Sequence, residues 1–251
     1  MPAADLEGRV VAITGASSGI GEATAAALAR AGASVALGAR RADRIGEIAS
    51  RIEGDGGTAA ALTTDVADEG AARSFVEGAR ERLGRLDVLV NNAGVMLLGP
   101  VEGADTDEWR RMVDVNVLGL LYCTHAALPI MREQGGGHIV NVSSVAGRVA
   151  GFGSAVYNLT KFGVHGFSEG LRQEALHANV RVTTIAPGYV ETELQGHNQN
   201  PAVVEATKQM REKIGQVLRA EDVADAILYA VSQPEHVDIN ELLVRPTGQQ
   251  R

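Results

Sequence analysis

Tyr157 and Lys161 are the two residues whose types and spacing most directly suggest chemistry. They lie four positions apart, so a helix would place both side chains on one face. A free tyrosine, with a pKa of about 10, exchanges protons poorly at neutral pH, and an adjacent ammonium group lowers that pKa by favouring the phenolate. The pair is therefore a candidate acid–base unit. The alternative is an ordinary amphipathic helix whose lysine extends to solvent.

Ser144 and Asn116 are two further polar candidates. Ser144 ends a predicted strand at the edge where open α/β sheets bind ligands, so we expect it to hold a substrate oxygen as charge develops there. No His/Asp pairing accompanies it, which argues against a nucleophile, and a turn or helix cap is the alternative. Ser143 is the weaker candidate of the two serines. Asn116 lies inside a predicted helix that begins near Thr106, and we expect it to bend the helix and hold a water in a proton relay.

A glycine-rich loop over residues 14–21 joins the first predicted strand to an alanine-rich helix over residues 22–31. Its GxxxGxG spacing allows a tight turn and lets the backbone approach a pyrophosphate, at which the amides of the helix N-terminus are directed. We predict a dinucleotide site here, and the alternative is a purely structural turn. The predicted contacts are Gly15, Ser17, Ser18, Gly19, Ile20 and Gly21.

The end of the second predicted strand indicates which dinucleotide is bound. An acidic side chain there would bind the ribose hydroxyls, but this strand ends in Ala39 and is followed by Arg40 and Arg41. Either arginine can bind a 2′-phosphate, with Ser17 as a further donor, so we predict NADP(H). The alternative is a solvated arginine pair. After the third strand, Asp65 and Val66 are expected to contact the adenine, or to form a simple turn.

The scaffold around these residues alternates short β-rich runs with helical periodicity. This alternation predicts a doubly wound α/β fold, with a seven-stranded, mostly parallel sheet and helices on both faces. We predict one catalytic, dinucleotide-binding domain over residues 1–251. Residues 188–219, with a short helix over 202–213, are predicted to form a substrate lid. The predicted strands are residues 10–14, 34–39, 58–63, 88–91, 138–142, 181–186 and 242–244.

Composition excludes several other classes of protein. The 251 residues carry a formal net charge of −8, which disfavours nucleic acid as a partner. Cys123 is the single cysteine and lies in an apolar run, so we expect a buried thiol and a reducing compartment. The N-terminus lacks a secretory signal pattern and no apolar run approaches transmembrane length, so a cytoplasmic protein without a membrane partner is expected. No residue cluster has metal-ligand spacing.

Taken in chain order, these motifs resemble those of the short-chain dehydrogenase/reductase family over nearly the whole chain. The matching features are the glycine loop, residues 91–94, Asn116, Ser144, the Tyr157 and Lys161 pair, and Pro187-Gly188. Within the family, residues 96–100, 147–149 and 244–248 are similar to those of dehydrogenases of clavulanic acid and, less closely, of serine or 3-hydroxy acids. The resemblance also implies a homotetramer or homodimer.

The resemblance implies a role for each site residue. Lys161 would bind the nicotinamide ribose and lower the pKa of Tyr157, which exchanges the proton. Ser144 would orient the substrate carbonyl, and Asn116 would support the relay. The remaining cofactor contacts are Asn92, Ala93 and Gly94 beside the ribose, and Pro187, Gly188, Val190 and Thr192 at the nicotinamide end.

The leading hypothesis is an NADP(H)-dependent oxidoreductase that acts on a small or secondary-metabolite carbonyl or alcohol. The alternatives are a catalytically silent NADP(H)-binding redox sensor and a nucleotide-sugar epimerase or dehydratase, although relatives of the latter kind are generally longer. We expect His197 to be a surface residue of the lid. The predicted walls of the substrate pocket, which are also open to interpretation as core filling, are Val95, Met96, Ala146, Val149, Phe152, Tyr189 and residues 194–199.

Overall fold

Strand β1 (Val10–Thr14) lies at the centre of the fold, between β2 (Ser34–Ala39) and β4 (Val88–Asn91). The computed structural model describes residues 5–198 and 200–250. The other strands are β3 (Thr58–Thr63), β5 (Gly137–Val142), β6 (Val180–Pro187) and β7 (Glu241–Val244). All seven predicted strands are present, and the last three begin one residue earlier than predicted. Every strand pair among the described residues is parallel, so the sheet is more uniform than the mostly parallel one expected.

The order of the strands in the sheet is β3-β2-β1-β4-β5-β6-β7. The chain therefore runs outward in one direction from β1 to β3 and then crosses back to β4 on the other side of β1. The helix that follows β1 packs on one face of the sheet, and the helix that follows β4 packs on the opposite face. A crevice therefore opens between them, beyond the carboxyl ends of β1 and β4. The candidate residues after β1, β4, β5 and β6 face this one edge.

Both faces of the sheet are covered by helices because neighbouring strand residues point to opposite sides. On β1, Val11 and Ile13 belong to one core cluster and Ala12 belongs to the other. The first cluster packs against α1 (Gly19–Arg30), α2 (Ala42–Gly54) and α8 (Ala220–Val231). The second packs against α3 (Glu69–Leu83), α5 (Gly119–Glu133) and α6 (Ala155–Ala175). This arrangement confirms the doubly wound fold.

Helix α1 begins three residues earlier than the sequence predicted, at Gly19 rather than Glu22. Ser18 is its N-cap residue, with an extended backbone, so the end of the glycine loop is already the first turn of the helix. The unpaired amides of this first turn consequently face the crevice.

The helix that carries Asn116 is continuous from Thr106 to Glu133 but changes its winding. After α4 (Thr106–Val113), residues Asp114–Leu118 form a π-helical turn, and α5 follows. The irregularity expected at Asn116 therefore exists as a π turn. By length and hydropathy alone these 28 residues are long and apolar enough to cross a membrane, contrary to the sequence expectation. Their buried side chains pack in the core, Cys123 among them, and burial raises the pKa of its thiol to about 12.

Residues 188–219, the predicted lid, contain two helical pieces. A 3-10 turn spans Glu193–His197, and α7 spans Pro201–Ile214, one residue longer at each end than predicted. Asn200 caps α7 by accepting a hydrogen bond from the Ala202 amide, and Pro201 occupies the first helical position, where no amide donor is needed. None of the described residues of α7 is buried.

Candidate active site

The glycine loop packs tightly against the segment that follows β4. Gly15 has a left-handed backbone, with φ of 65°, and a Cβ there would lie 2.8 Å from the Cα of Ala93. A Cβ at Gly21 would lie 2.4 Å from the carbonyl oxygen of Gly15. These contacts explain why the loop needs glycine. Gly21 itself does not line the cavity, so it shapes the loop rather than touching a ligand as expected.

The segment after β4 is fixed to β1 by side-chain hydrogen bonds. The Thr14 hydroxyl accepts hydrogen bonds from the backbone amides of Asn92 and Ala93, both at 3.0 Å. The Asn92 side chain donates to the carbonyl oxygens of Thr14 at 2.9 Å and Gly15 at 3.2 Å. Asn92, Ala93 and Gly94 all line the crevice, as predicted, while Thr14 is a supporting residue that the sequence did not single out.

Tyr157 and Lys161 lie on one face of α6, as their spacing predicted, and both are buried. The Lys161 ammonium donates to the Val142 carbonyl oxygen at 2.9 Å and lies 5.9 Å from the centre of the Tyr157 ring. This contact rules out the solvated amphipathic pair. Gly94 lies close to Asn116, because a Cβ there would lie 3.3 Å from the Asn116 side-chain oxygen.

Burial changes the protonation of this pair in a way that the sequence did not predict. The pKa of Tyr157 is raised to about 12 by burial, and a hydrogen bond with Ser144 only partly opposes this rise. Burial also lowers the pKa of Lys161 to about 8. The pKa of Tyr157 is therefore raised, whereas the sequence predicted a lowered value, because the loss of water around the phenolate outweighs the hydrogen bond with Ser144.

Ser144 combines the two interpretations that the sequence left open. Its hydroxyl caps the 3-10 turn Val145–Gly147 by accepting from the Ala146 amide at 3.1 Å, and it donates to the Pro187 carbonyl oxygen at 3.4 Å. The Ser144 hydroxyl also lowers the pKa of Tyr157, against the effect of burial. Ser143 points elsewhere: its hydroxyl donates to the Lys161 carbonyl oxygen at 3.2 Å and lies 3.0 Å from Nδ1 of His165. Ser144 is therefore the serine that lies beside Tyr157.

Asn116 lies behind the cavity wall and does not line the cavity. Its amide nitrogen donates to the carbonyl oxygen of Val95 and to the hydroxyl of Thr160. Its side-chain oxygen accepts from the Val95 amide. Both amide hydrogens are thus engaged, and the side chain joins the π turn to the loop after β4 and to α6.

The two arginines after β2 differ in their contacts. Arg41 donates to the hydroxyls of Ser17 at 2.9 Å and Ser18 at 2.7 Å, and its Nη1 forms an ion pair with Glu193 at 2.9 Å. Arg40 is exposed at the same mouth of the cavity. The solvated pair considered from the sequence is therefore wrong for Arg41. Glu193 was not identified from the sequence, where an exposed acidic residue carried no signal.

Asp65 and Val66 lie at the same end of the cavity. Asp65 accepts a hydrogen bond from the Ala67 amide at 3.1 Å, which is the turn that the sequence allowed, and Val66 is buried against Gly119. Both residues line the cavity, so the turn and a contact with a ligand are compatible here.

One cavity of about 510 Å³ connects these groups along the carboxyl edge of the sheet. It runs from Arg40 past the glycine loop to Tyr157, and such a volume is typical of ligand pockets. Of the predicted site residues, all except Gly21 and Asn116 line it. Those that do are Gly15, Ser17, Ser18, Gly19, Ile20, Arg40, Arg41, Asp65, Val66, Asn92, Ala93, Gly94, Ser144, Tyr157, Lys161, Pro187, Gly188, Val190 and Thr192.

The predicted substrate walls are confirmed only in part. The residues that line the cavity are Val95, Met96, Ala146, Tyr189, Leu194, Gln195 and His197. Val149 and Phe152 do not line it, and Phe152 is 99% exposed. Gly196 and Asn198 also lie outside the lining, and Gln199 lies outside the described residues.

Two lid residues behave differently from the expectation. His197 is half-buried rather than a surface residue, and its pKa is lowered by burial and by Arg111 and Arg40. Asn198 is buried, accepts from the Leu98 amide at 2.7 Å and donates to the Met96 carbonyl oxygen at 3.1 Å. Asn198 thereby ties the lid to the loop after β4. The separation of about a hundred residues between them gave no local signal.

Comparison with known proteins agrees with this architecture. The family model described as "short chain dehydrogenase" matches residues 9–202. An uncharacterized oxidoreductase of Staphylococcus saprophyticus is 42% identical over 251 residues, which is 98% of each chain. The closed form of a serine dehydrogenase complexed with NADP+ is 34% identical, with a TM-score of 0.88 over 96% of each chain.

A second solved structure differs in its cofactor. It is a 7α-hydroxysteroid dehydrogenase complexed with NADH and 7-oxo glycochenodeoxycholic acid, 28% identical, with a TM-score of 0.90 over 99% of this chain and 97% of that one. The matched family model covers most of the chain, and the relatives align with it almost end to end. The protein is therefore a member of the short-chain dehydrogenase/reductase family of oxidoreductases.

Proposed function

We propose that this protein is an NADP(H)-dependent oxidoreductase that interconverts a carbonyl and an alcohol on a small or secondary-metabolite substrate. The observation that carries the proposal is the convergence of Ser144, Tyr157 and Lys161 on the cavity that the glycine loop also lines. A binding site alone would need the loop, but it would not need the hydroxyls of Ser144 and Tyr157 next to an ammonium group.

The residues present fit a phosphorylated dinucleotide. Gly15 and Gly21 let the loop pack tightly against Asn92, which shapes the turn before α1, and the first turn of α1 offers its amides to the cavity. Arg40 and Arg41 supply positive charge at the adenine end. Because one structural neighbour holds NADP+ and another holds NADH, the preference for NADP(H) depends on these arginines and on the lack of an acidic residue at the end of β2.

The bound nicotinamide supplies or accepts the hydride. Tyr157, whose raised pKa keeps it protonated at neutral pH, donates the proton to the substrate oxygen during reduction. Ser144 shares that oxygen and holds it beside the phenol. Lys161 holds the nicotinamide ribose and its positive charge favours the phenolate that remains. Asn116 positions the loop at Val95, and its part in the relay falls to its backbone carbonyl, because its side-chain oxygen and both amide hydrogens are engaged.

The apolar substrate end suits a modest organic carbonyl. Met96, Ala146 and Leu194 supply apolar wall there, and Tyr189, Gln195 and His197 supply polar groups. We propose that residues 188–219 act as a lid over this end, because the hydrogen bonds of Asn198 fix the lid to the opposite loop. We also propose a cytoplasmic homotetramer or homodimer, in keeping with the single buried cysteine and with exposed Leu159 and Phe162 on α6.

The proposed function is tested by the oxidation of NADPH and NADH by the purified protein with a panel of aldehydes, ketones, and 2- and 3-oxo acids. We expect turnover that is selective for NADPH. Tight NADPH binding without turnover of any carbonyl would favour a redox sensor, and equal or better turnover with NADH would contradict the assigned cofactor preference.

A further inference from the structure

Arg41 is held simultaneously by the glycine loop and by the lid. One side of its guanidinium group donates to the hydroxyls of Ser17 and Ser18, and Nη1 on the other side pairs with the Glu193 carboxylate at 2.9 Å. The pair is only partly exposed, with 41% of the Arg41 side chain and 55% of the Glu193 side chain accessible. The Glu193 carboxylate is therefore paired with the guanidinium group that contacts the glycine loop.

The lid backbone brings Glu193 to this position. Glu193 is the first residue of the 3-10 turn Glu193–His197, and the turn is capped by Thr192. A Cβ on Gly19 would lie 3.1 Å from Cγ2 of Thr192, so the lid lies directly against the first residue of α1. Two neighbouring lid residues thus contact the two sides of the proposed phosphate site.

The surroundings of Glu193 stabilise an anion. Burial raises the pKa of its carboxyl, but hydrogen bonds from Ser18 and Arg41 outweigh that effect and the pKa is lowered overall. Ser18 is the N-cap residue of α1, and its hydroxyl accepts no hydrogen bond from the first turn. The carboxylate consequently sits beside a helix N-terminus and an arginine, the same combination that binds phosphate.

We propose that Glu193 is a built-in competitor for the cofactor phosphate at Arg41, and that the lid is coupled to cofactor binding through this exchange. The proposal rests on the proposed function, since it requires that a phosphorylated dinucleotide binds at the glycine loop. Cofactor binding breaks the ion pair between Glu193 and Arg41, and the free energy needed to break this pair weakens the binding of the cofactor. The same exchange frees the 3-10 turn from its contact with Arg41.

The test is a comparison of Glu193→Gln with wild type and with Glu191→Gln as a matched control. Glu191 lies two residues earlier in the lid, pairs with Arg211 at 2.7 Å and does not line the cavity, so its substitution removes the same charge outside the site. Dissociation constants are measured by titration calorimetry for NADPH and for adenosine 2′,5′-bisphosphate. The second probe has no nicotinamide and reports binding independently of hydride transfer.

We expect Glu193→Gln to bind both probes about two- to fivefold more tightly than wild type, the range for a partly exposed ion pair. Glu191→Gln should bind like wild type. The gain should shrink at high salt, which already screens the pair. Without nucleotide, backbone amides over residues 193–198 should exchange faster in Glu193→Gln than in either other protein, because the lid has lost its contact with Arg41.

Several results would overturn the proposal. Each result for a variant requires a normal unfolding temperature and tight binding by wild type. Unchanged binding by Glu193→Gln would mean that Glu193 does not compete for Arg41, and weaker binding would mean that Glu193 holds Arg41 ready for phosphate. An equal gain in Glu191→Gln would assign the effect to net charge. If wild type bound neither probe, the proposed function would fail together with this inference, and that result is distinct from the first two.

Discussion

Asn116 and Val95 are joined by two hydrogen bonds, in which the Asn116 side chain pairs with both backbone polar groups of Val95. The Asn116 amide nitrogen donates to the Val95 carbonyl oxygen at 2.9 Å, and its side-chain oxygen accepts from the Val95 amide at 2.7 Å. Val95 lines the cavity, whereas Asn116 is buried behind it. A single side chain in the π turn therefore sets the position of the loop that forms the substrate end.

Asn116→Ala should lower both stability and turnover. It leaves the amide and the carbonyl of Val95 without partners in a buried setting, which costs about 1–3 kcal/mol of the free energy of unfolding. The loop should also lose its fixed position, so kcat should fall while NADPH binding changes little. Denaturant unfolding and steady-state kinetics measure the two effects. Thr160→Val is the control and should have the smaller effect, because it keeps both bonds of Asn116 to Val95 and removes the Thr160 hydroxyl's bonds to Asn116 and to the Tyr157 carbonyl oxygen.

Tyr157→Phe should remove turnover and preserve cofactor binding. The substitution deletes the hydroxyl that donates the proton and keeps the ring that is buried in the wall, so kcat should fall by about a hundredfold or more. The dissociation constant for NADPH, measured by fluorescence, should stay close to that of wild type. A variant that kept full activity would show that another group donates the proton.

Aspartate substitutions at Arg40 and Arg41 should move the cofactor preference toward NADH. A carboxylate at either position repels a 2′-phosphate, and the loss of a charge-assisted contact should weaken NADPH binding by about tenfold or more. Arg30→Asp, at the far end of α1, changes the charge equally and should leave the preference unaltered. If Arg40→Asp also left it unaltered, Arg41 with Ser17 would be the phosphate site.

Carbonyl reduction should become slower as the pH rises through about 8. Burial lowers the pKa of Lys161 to about 8, so its ammonium form is present below that pH and is lost above it. Burial raises the pKa of Tyr157 to about 12, so the proton donor stays protonated throughout this range. A profile of kcat/KM against pH in the reductive direction measures the decline. A rate that stayed constant from neutral pH to about pH 9 would contradict the requirement for the ammonium.

Asp87→Ala should destabilise the centre of the sheet without changing the site. Asp87 is buried, accepts from the Val10 amide at 2.9 Å and pairs with Arg85 at 2.7 Å. Its removal leaves the first amide of β1 without a partner, and we expect a loss of about 1–3 kcal/mol in denaturant unfolding. Asp87→Asn retains an oxygen that can accept from Val10 and should lose less. Equal losses in the two variants would assign the effect to charge.

The features that the sequence determined depend on neighbours in the chain. Buried parallel strands are continuous apolar runs, so all seven were predicted to within one residue at each end. A loop that needs left-handed backbone at Gly15 and Gly19 requires glycine whatever surrounds it. The shared face of Tyr157 and Lys161 follows from the pitch of a helix alone. The start of α1 was predicted three residues too late, because the glycine loop already contains its first turn.

The tertiary structure decided everything that depends on contacts between distant segments. Arg40 and Arg41 are adjacent in sequence, and only the hydrogen bonds to the Ser17 and Ser18 hydroxyls distinguish Arg41 by holding it against the glycine loop. Asn198 meets Met96 across about a hundred residues, and Glu193 meets Arg41 across the crevice. The shift of the Tyr157 pKa is upward, opposite to the predicted shift, for the same reason. A pKa follows the balance between lost water and nearby charge, and the loss of water is set by the whole fold rather than by a residue four positions away.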